Sequence, residues 1–364
     1  MKRTTRRLLS LLMAVVLCLG LTPVTAWAED IVIGDSEHWR IDDTYTLCID
    51  NDEGMADWIS EDGTFGGWVW GVELAEGITK VPYHAFYKCT NLAAVEIPAS
   101  VIEMGKNDVF EGCTNLTTIT VADGNDNFFV EDGVLYGYEK DDDGNKIEDE
   151  FVALICPPGK SGSVTLKDGT VEIGGSAFEA CTRLTGVTLN EGLKRIGSNA
   201  FGGSGLQNVT LPASLESLGN GVFDNCAGLT SVTVADGNTK FSAQDGVLYD
   251  SSKTKLLLYP AAKPDEAFAI PNSVTHIDSY AFKGARYLQT VTASNLTSIG
   301  NSAFINCEAL TSFAAASLDE VKSQAFYECA SLETFQLTDE TSLKTIGGNA
   351  FARCSSLTGA PLAG

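Results

Sequence analysis

The sequence predicts a mainly β repeat solenoid, in which short parallel strands and turns stack coil upon coil. Three observations carry this. An Ala-Phe or Val-Phe dipeptide recurs nine times, at Phe86, Phe110, Phe178, Phe201, Phe223, Phe282, Phe304, Phe326 and Phe351, and six of the eight spacings lie between 22 and 25 residues. Three residues after Phe stands Cys in seven copies, with Ser204 and Ala285 in the other two. Six residues after most Phe, a Leu opens an alternating segment such as Leu116, Ile119, Val121 or Leu229, Val232, Val234. Self-similarity at such a period marks a repeat architecture.

Each part of the period has a physical reading. Alternation of apolar and polar residues is the pattern of a half-buried strand, so Ile119 and Val121 face inward and Thr118 and Thr120 outward. One such strand cannot bury its apolar face alone. Stacked about 4.8 Å from its neighbours, it forms a continuous core with the Leu, Phe and Cys columns. Upstream of Phe an apolar-x-x-apolar step is commonly closed by glycine, as in Leu193, Ile196, Gly197 or Leu343, Ile346, Gly347. These glycines are expected to permit tight turns, and helix is expected to be scarce.

Before the repeat come two other segments. Residues 1–28 read as a signal peptide: Lys2, Arg3, Arg6 and Arg7 precede the apolar run Leu8 to Leu21, and Ala26-Trp27-Ala28 supplies a cleavage site. The exported chain then carries 20 Lys and Arg against 48 Asp and Glu, a net charge of −28. That excess excludes nucleic acid as a partner, since phosphates need a basic surface. No later apolar run is long enough for insertion into a membrane after signal cleavage. Residues 29–75 lack the repeat and hold Trp39, Trp58, Trp68 and Trp70. Two readings stand for them: a cap over the first coil, which solenoids need, or an aromatic platform for carbohydrate.

The solenoid proper is expected over 76–364, with insertions at about 122–168 and 235–270. The two resemble each other. Val121-Ala122-Asp123-Gly124-Asn125 returns as Val234-Ala235-Asp236-Gly237-Asn238, and Asp132-Gly133-Val134-Leu135-Tyr136 returns as Asp245-Gly246-Val247-Leu248-Tyr249. Asp-Gly before Val-Leu-Tyr is a turn leading into a strand. Both inserts read as β-hairpin excursions that leave the solenoid continuous, the first longer around Glu139 to Glu150. At the far end Leu357, Ala360 and Leu362 begin another strand, from which the natural chain is expected to extend or to end in a bare edge.

Catalytic motifs fail one by one. Gly159-Lys160-Ser161 lacks the first glycine of a phosphate loop, because position 154 is Leu. Gly202-Gly203-Ser204-Gly205-Leu206 has Leu where a nucleophile elbow needs glycine. His38, His84 and His276 have no partner constellation in the sequence and read as surface or rim residues. Asp141-Asp142-Asp143-Gly144-Asn145 imitates half a calcium loop, but Lys146 and Val152 stand where Gly and Glu are required, so a solvated hairpin tip is expected. No enzyme activity, cofactor or metal is expected. The Cys column is expected to point inward as reduced, buried thiols, with Cys307 and Cys329 the pair to bridge if any does. What remains is a surface: Thr120, Thr188, Thr210, Thr233 and Thr292 hold one outward strand position and form a candidate ligand-binding ladder, although Thr also simply makes good strands.

The pattern Ile-Gly-x-x-Ala-Phe-x-x-Cys-x-x-Leu-x-x-Val-x-Leu, carried by Ile173 to Leu189 and Ile196 to Leu211, resembles the BspA-like family of bacterial leucine-rich-repeat surface proteins. The resemblance covers about residues 76–364. It implies a leucine-rich-repeat array in a secreted or cell-surface protein that mediates adhesion or protein and glycan binding, with host matrix among the implied partners. The alternative is a non-catalytic binding or spacer region of a larger cell-wall-associated protein.

Overall fold

The computed structural model describes residues 37–105 and 108–358, so the expected signal peptide and the final strand at Ala360 and Leu362 lie outside the described residues. The chain divides into two compact units, one up to Val130 and one from Glu131.

The first unit opens with strands Trp39–Ile41 and Thr46–Ile49, antiparallel to each other, and Gly71–Leu74, parallel to the second. Between them runs the helix Asp52–Ile59. Asn51 caps it by accepting the Gly54 N–H at 2.9 Å, as a helix start requires. Its Met55 and Trp58 are buried, and the Trp58 indole N–H donates to the Ala85 carbonyl at 2.6 Å. Asp52 accepts from the Thr79 backbone N–H and hydroxyl at 2.8 and 2.5 Å. The helix is thereby tied to both ends of the first coil's leading edge. Two coils follow, joined by the parallel pairs Lys80–Val81 with Glu103–Met104 and Ala94–Ile97 with Thr118–Val121.

The second unit is a β-solenoid whose coils are held by three parallel ladders. One is built from two-residue strands at the Ile-Gly step, with Ile173 opposite Ile196 and Ile196 opposite Leu218. Another is built from strands of mostly four residues after the repeat Leu, such as Asn208–Leu211 against Ser231–Val234. The third runs through the Ala-Phe corner, where the Phe178 N–H donates to the Ala200 carbonyl at 2.7 Å and the Phe201 N–H to Val222 at 2.9 Å.

The corner depends on a backbone feature absent from the sequence pattern. In every described coil the residues two before and two after Phe have positive φ. Ser176 and Ala180 flank Phe178 in this way, Ser302 and Asn306 flank Phe304, and Gln324 and Glu328 flank Phe326, at φ between 51° and 62°. Two left-handed residues four positions apart bracket a stretch in which every second N–H points toward the next coil. Thus Ser302, Phe304 and Asn306 donate to Ser323, Ala325 and Tyr327 at 3.0, 2.7 and 3.0 Å. A non-glycine side chain in this region costs about 1–2 kcal/mol, which the inter-coil hydrogen bonds offset.

The glycine after Ile has a different role from the expected turn. Gly197, Gly219, Gly300 and Gly347 are not among the positive-φ glycines. A Cβ there would lie 2.3–2.6 Å from the backbone of the preceding coil, for instance 2.3 Å from the Ser198 nitrogen at Gly219. Close approach of coils, not chain reversal, selects glycine.

The Cys column points inward as free thiols, buried except for the half-buried Cys354. The S–H of Cys226, Cys307, Cys329 and Cys354 reaches the carbonyl of Phe201, Phe282, Phe304 and Phe326 respectively, each at 3.0 Å. The thiol thus serves the backbone of the coil before it, which explains a small residue with a donor at this place. The neighbouring thiol and burial both push the Cys329 thiol up, and burial does so for Cys226. These groups stay protonated and unreactive.

The inserts contain the expected antiparallel pairs, Val134–Lys140 with Lys146–Ile155 and Val247–Asp250 with Lys255–Leu258. The first hairpin is the longer, and its arms run on through Glu139 and Glu150. Each insert also does more than leave and return. The second arm of its hairpin pairs in parallel with the next coil, Leu256 opposite Ile277 and Ala153 opposite Ile173. Cys156 and Tyr259 then take the place of Phe at the corner, donating to Ala177 and Ala281 at 2.6 and 2.7 Å. Each insert therefore supplies a full coil whose corner reads Cys-Pro or Tyr-Pro, which is why the Ala-Phe count misses it. Arg195 fastens the long hairpin with ion pairs to Glu139 and Glu172, both 2.7 Å.

Candidate functional site

The outward face of the four-residue strands is where the predicted Thr residues lie, and all five are exposed. They do not form one ladder. Thr188, Thr210 and Thr233 share a four-stranded sheet with Thr165, which pairs with Thr188 and which the Ala-Phe register overlooked because it belongs to an insert coil. The Thr210 and Thr233 hydroxyls are 2.8 Å apart. Thr292 lies in a second four-stranded sheet, between Ala269 and Ala314, because the second insert separates Val234 from Ala267. Thr120 belongs to the first unit, opposite Glu96. The hydroxyl row within one sheet is therefore the set Thr165, Thr188, Thr210 and Thr233, flanked inward by buried Val164, Val209 and Val232.

The four Trp of the first unit separate by role. Trp39 and Trp58 are buried, with rings edge-on at 5.1 Å. Trp68 is half-buried and stacked on Tyr45 at 6.2 Å, and Trp70 is 59% exposed. Two therefore build core, and two remain at the surface beside Tyr45.

The rejected motifs take structural parts. Ser204 is buried, 3.4 Å from the Cys226 sulfur. The Lys160 ammonium donates to the Asp132 carbonyl at 2.7 Å. Asp141 turns its carboxylate back on its own hairpin tip, accepting from the Asn145 and Asp143 N–H groups at 2.8 and 3.1 Å. The Asn145 amide holds that carboxyl below its ordinary range. Such a carboxylate is already engaged as a turn residue.

One constellation was illegible in the sequence. His84 and Asp108 occupy the same left-handed corner position in adjacent coils, both at φ 61°. Glu111 stands one residue after Phe110. The corner hydrogen bonds Phe86 to Val109 and Lys88 to Glu111, 2.9 and 2.7 Å, bring the three side chains together. The His84 Nε2 lies 3.2 Å from a Glu111 carboxylate oxygen, and one ligand atom from each of His84, Asp108 and Glu111 lies within 4.8 Å of the others. The Tyr83 and Tyr87 rings each stack against the His84 imidazole, with centroids 3.8 and 4.7 Å away. Burial, and then the charge of Glu111, push the Asp108 carboxyl above its ordinary range. His84 is a half-buried rim residue, as expected, but two carboxylates accompany it. His276 is exposed and accepts or donates a hydrogen bond with Thr275 at 2.8 Å. Among the described residues no helix is long and apolar enough to cross a membrane.

Comparison with known proteins bears on the fold described above. The family model for the BspA type leucine-rich repeat region matches six copies, over residues 69–131, 160–257 and 264–363. Among solved structures, a leucine rich cell surface protein from Faecalibacterium prausnitzii is similar over 93% of this chain and 94% of its own, with a TM-score of 0.56 and 22% identity. The pneumococcal vaccine antigen PcpA is similar over 76% of this chain, with a TM-score of 0.53 and 24% identity. This chain spans 64% of the length of that antigen's structure. No curated protein matches the sequence.

Proposed function

The chain belongs to the BspA-type leucine-rich-repeat family, and from that premise we propose that it is a secreted or cell-surface protein that binds an extracellular protein or glycan and acts by adhesion, not catalysis. The observation that carries the reading is the exposed hydroxyl row of Thr165, Thr188, Thr210 and Thr233 on a regular parallel sheet. Parallel pairing keeps the strands that carry these hydroxyls about 4.8 Å apart. A repeated flat row of donors and acceptors suits an extended ligand with its own periodicity, such as a glycan chain or a matrix protein. The acidic chain favours ligands that are neutral or basic. Surface location accords with the leader-like start of the sequence and with the cell-surface description of the Faecalibacterium neighbour.

Support for binding over turnover comes from how potential catalytic groups are used. Ser204 and the described cysteines face the core or the backbone, and Lys160 is paired.

The test uses the purified chain on arrays of matrix proteins, mucins and glycans, alongside Thr188→Glu and Thr210→Glu. The proposal expects binding by the wild type and at least about tenfold weaker binding by both variants, the equivalent of about 1.4 kcal/mol. A folded wild-type chain that captures none of these ligands would sink the adhesion reading. Equal binding by the variants would move the site off this face.

A further inference from the structure

We propose that His84, Asp108 and Glu111 bind one divalent transition-metal ion of the zinc class. The ion would take the His84 Nε2 and one oxygen from each carboxylate, leaving a position open to solvent beside the exposed Tyr83.

The donor set is the first reason. One imidazole and two carboxylates suit zinc and its neighbours, which accept nitrogen and oxygen ligands, and three protein ligands leave room for water or a partner's group. The two carboxylates also balance the charge of a divalent ion. The cationic groups near them are the His84 imidazole, when protonated, and the exposed Lys88 ammonium, which feels the charge of Glu111.

The spacing is the second. Tetrahedral ligands at zinc distances of about 2.0–2.1 Å stand roughly 3.3 Å from one another. His84 and Glu111 are already at 3.2 Å. The three ligand atoms lie within 4.8 Å of one another, so closing the set needs only side-chain rotation.

Pre-organisation is the third. Both His84 and Asp108 project from backbone fixed at φ 61°, and the corner hydrogen bonds lock their coils in register. Stacking of Tyr83 and Tyr87 against the imidazole restricts its rotation. Two adjacent coils place His and Asp at this corner position, whereas the other described coils with a Phe corner carry Ser, Asn, Gly, Tyr or Gln there. The repeat itself therefore does not demand these residues.

The experiment titrates the chelator-treated chain with Zn2+ by calorimetry and with Co2+ by absorption spectroscopy. Variants are His84→Asn, chosen because Asn tolerates the left-handed backbone, and Glu111→Gln. One ion per chain is expected, with a cobalt spectrum of nitrogen and oxygen ligation and at least about tenfold weaker binding in each variant. Circular dichroism and the metal-free melting curve of both variants should match the wild type. Absence of binding, or wild-type affinity in His84→Asn, overturns the proposal. So does a thiolate-to-cobalt charge-transfer band, which would place the ion on the Cys column. The outcome is independent of the Thr face, since neither variant touches it.

Discussion

Within each coil of the second unit, the Ala-Phe corner and the four-residue strand are built on opposite terms. The corner is crowded with requirements. Phe304 is fully buried and stacks between Phe282 and Phe326 at 4.4 and 4.8 Å. Its N–H serves the following coil, and its carbonyl receives the Cys329 thiol. Left-handed residues on both sides make that geometry reachable. The outward strand positions meet almost none of these demands. Thr188, Thr210 and Thr233 are exposed, and in the second sheet Ala314 and Gln336 occupy the same register. The difference shows how a solenoid coil concentrates its packing demands at one edge and leaves the outward positions of another open to several residue types.

Breaking the corner should have the largest effect. Phe304→Ala is expected to destabilise the second unit by about 3–5 kcal/mol, through lost transfer energy and a cavity between two stacked rings. Urea denaturation followed by circular dichroism measures it, and a loss below about 1 kcal/mol would deny the corner its leading role.

A milder change isolates the thiol. Cys329→Ala should cost about 1–2 kcal/mol, because the Phe304 carbonyl keeps the Cys307 N–H but loses its second donor and some packing. Cys329→Ser, which retains a donor, should cost less. An equal loss in both would show that volume, not the hydrogen bond, selects cysteine. Ala285 in this same column shows that the smaller residue is tolerated once, in a coil preceded by the Tyr259 corner.

The smallest stability effect belongs to the strand face. Thr210→Val preserves the branched shape and removes the hydroxyl that sits 2.8 Å from Thr233. Its midpoint should shift by less than about 0.5 kcal/mol in free energy. A larger loss would mean that the hydroxyl row is structural, and it would narrow the contrast between corner and face.

Much of this was legible because a repeat prints its core many times. Phe178, Cys181, Leu184 and Val187 announce their roles by recurring at fixed spacing, and no single copy would have sufficed. The insert coils were hidden because Cys156-Pro157 and Tyr259-Pro260 fill the Phe place with unrelated residues, while backbone hydrogen bonding keeps the coil intact. Thr165 was missed for the same reason, and Thr292 was wrongly joined to the row because sequence position says nothing about which sheet a strand enters. The His84 cluster was out of reach because its members sit on separate coils, and only stacking makes them neighbours.

The sequence by itself determined the repeat, its period, its inward columns and its strands, because burial of apolar residues at a fixed interval depends only on chain order. Tertiary structure alone decided the left-handed corners, the glycine contacts, the extra coils and the grouping of surface residues. Those features arise where one coil meets the next, and the physical forces that set them, steric exclusion and hydrogen bonding across coils, act between residues that the chain keeps a full turn apart.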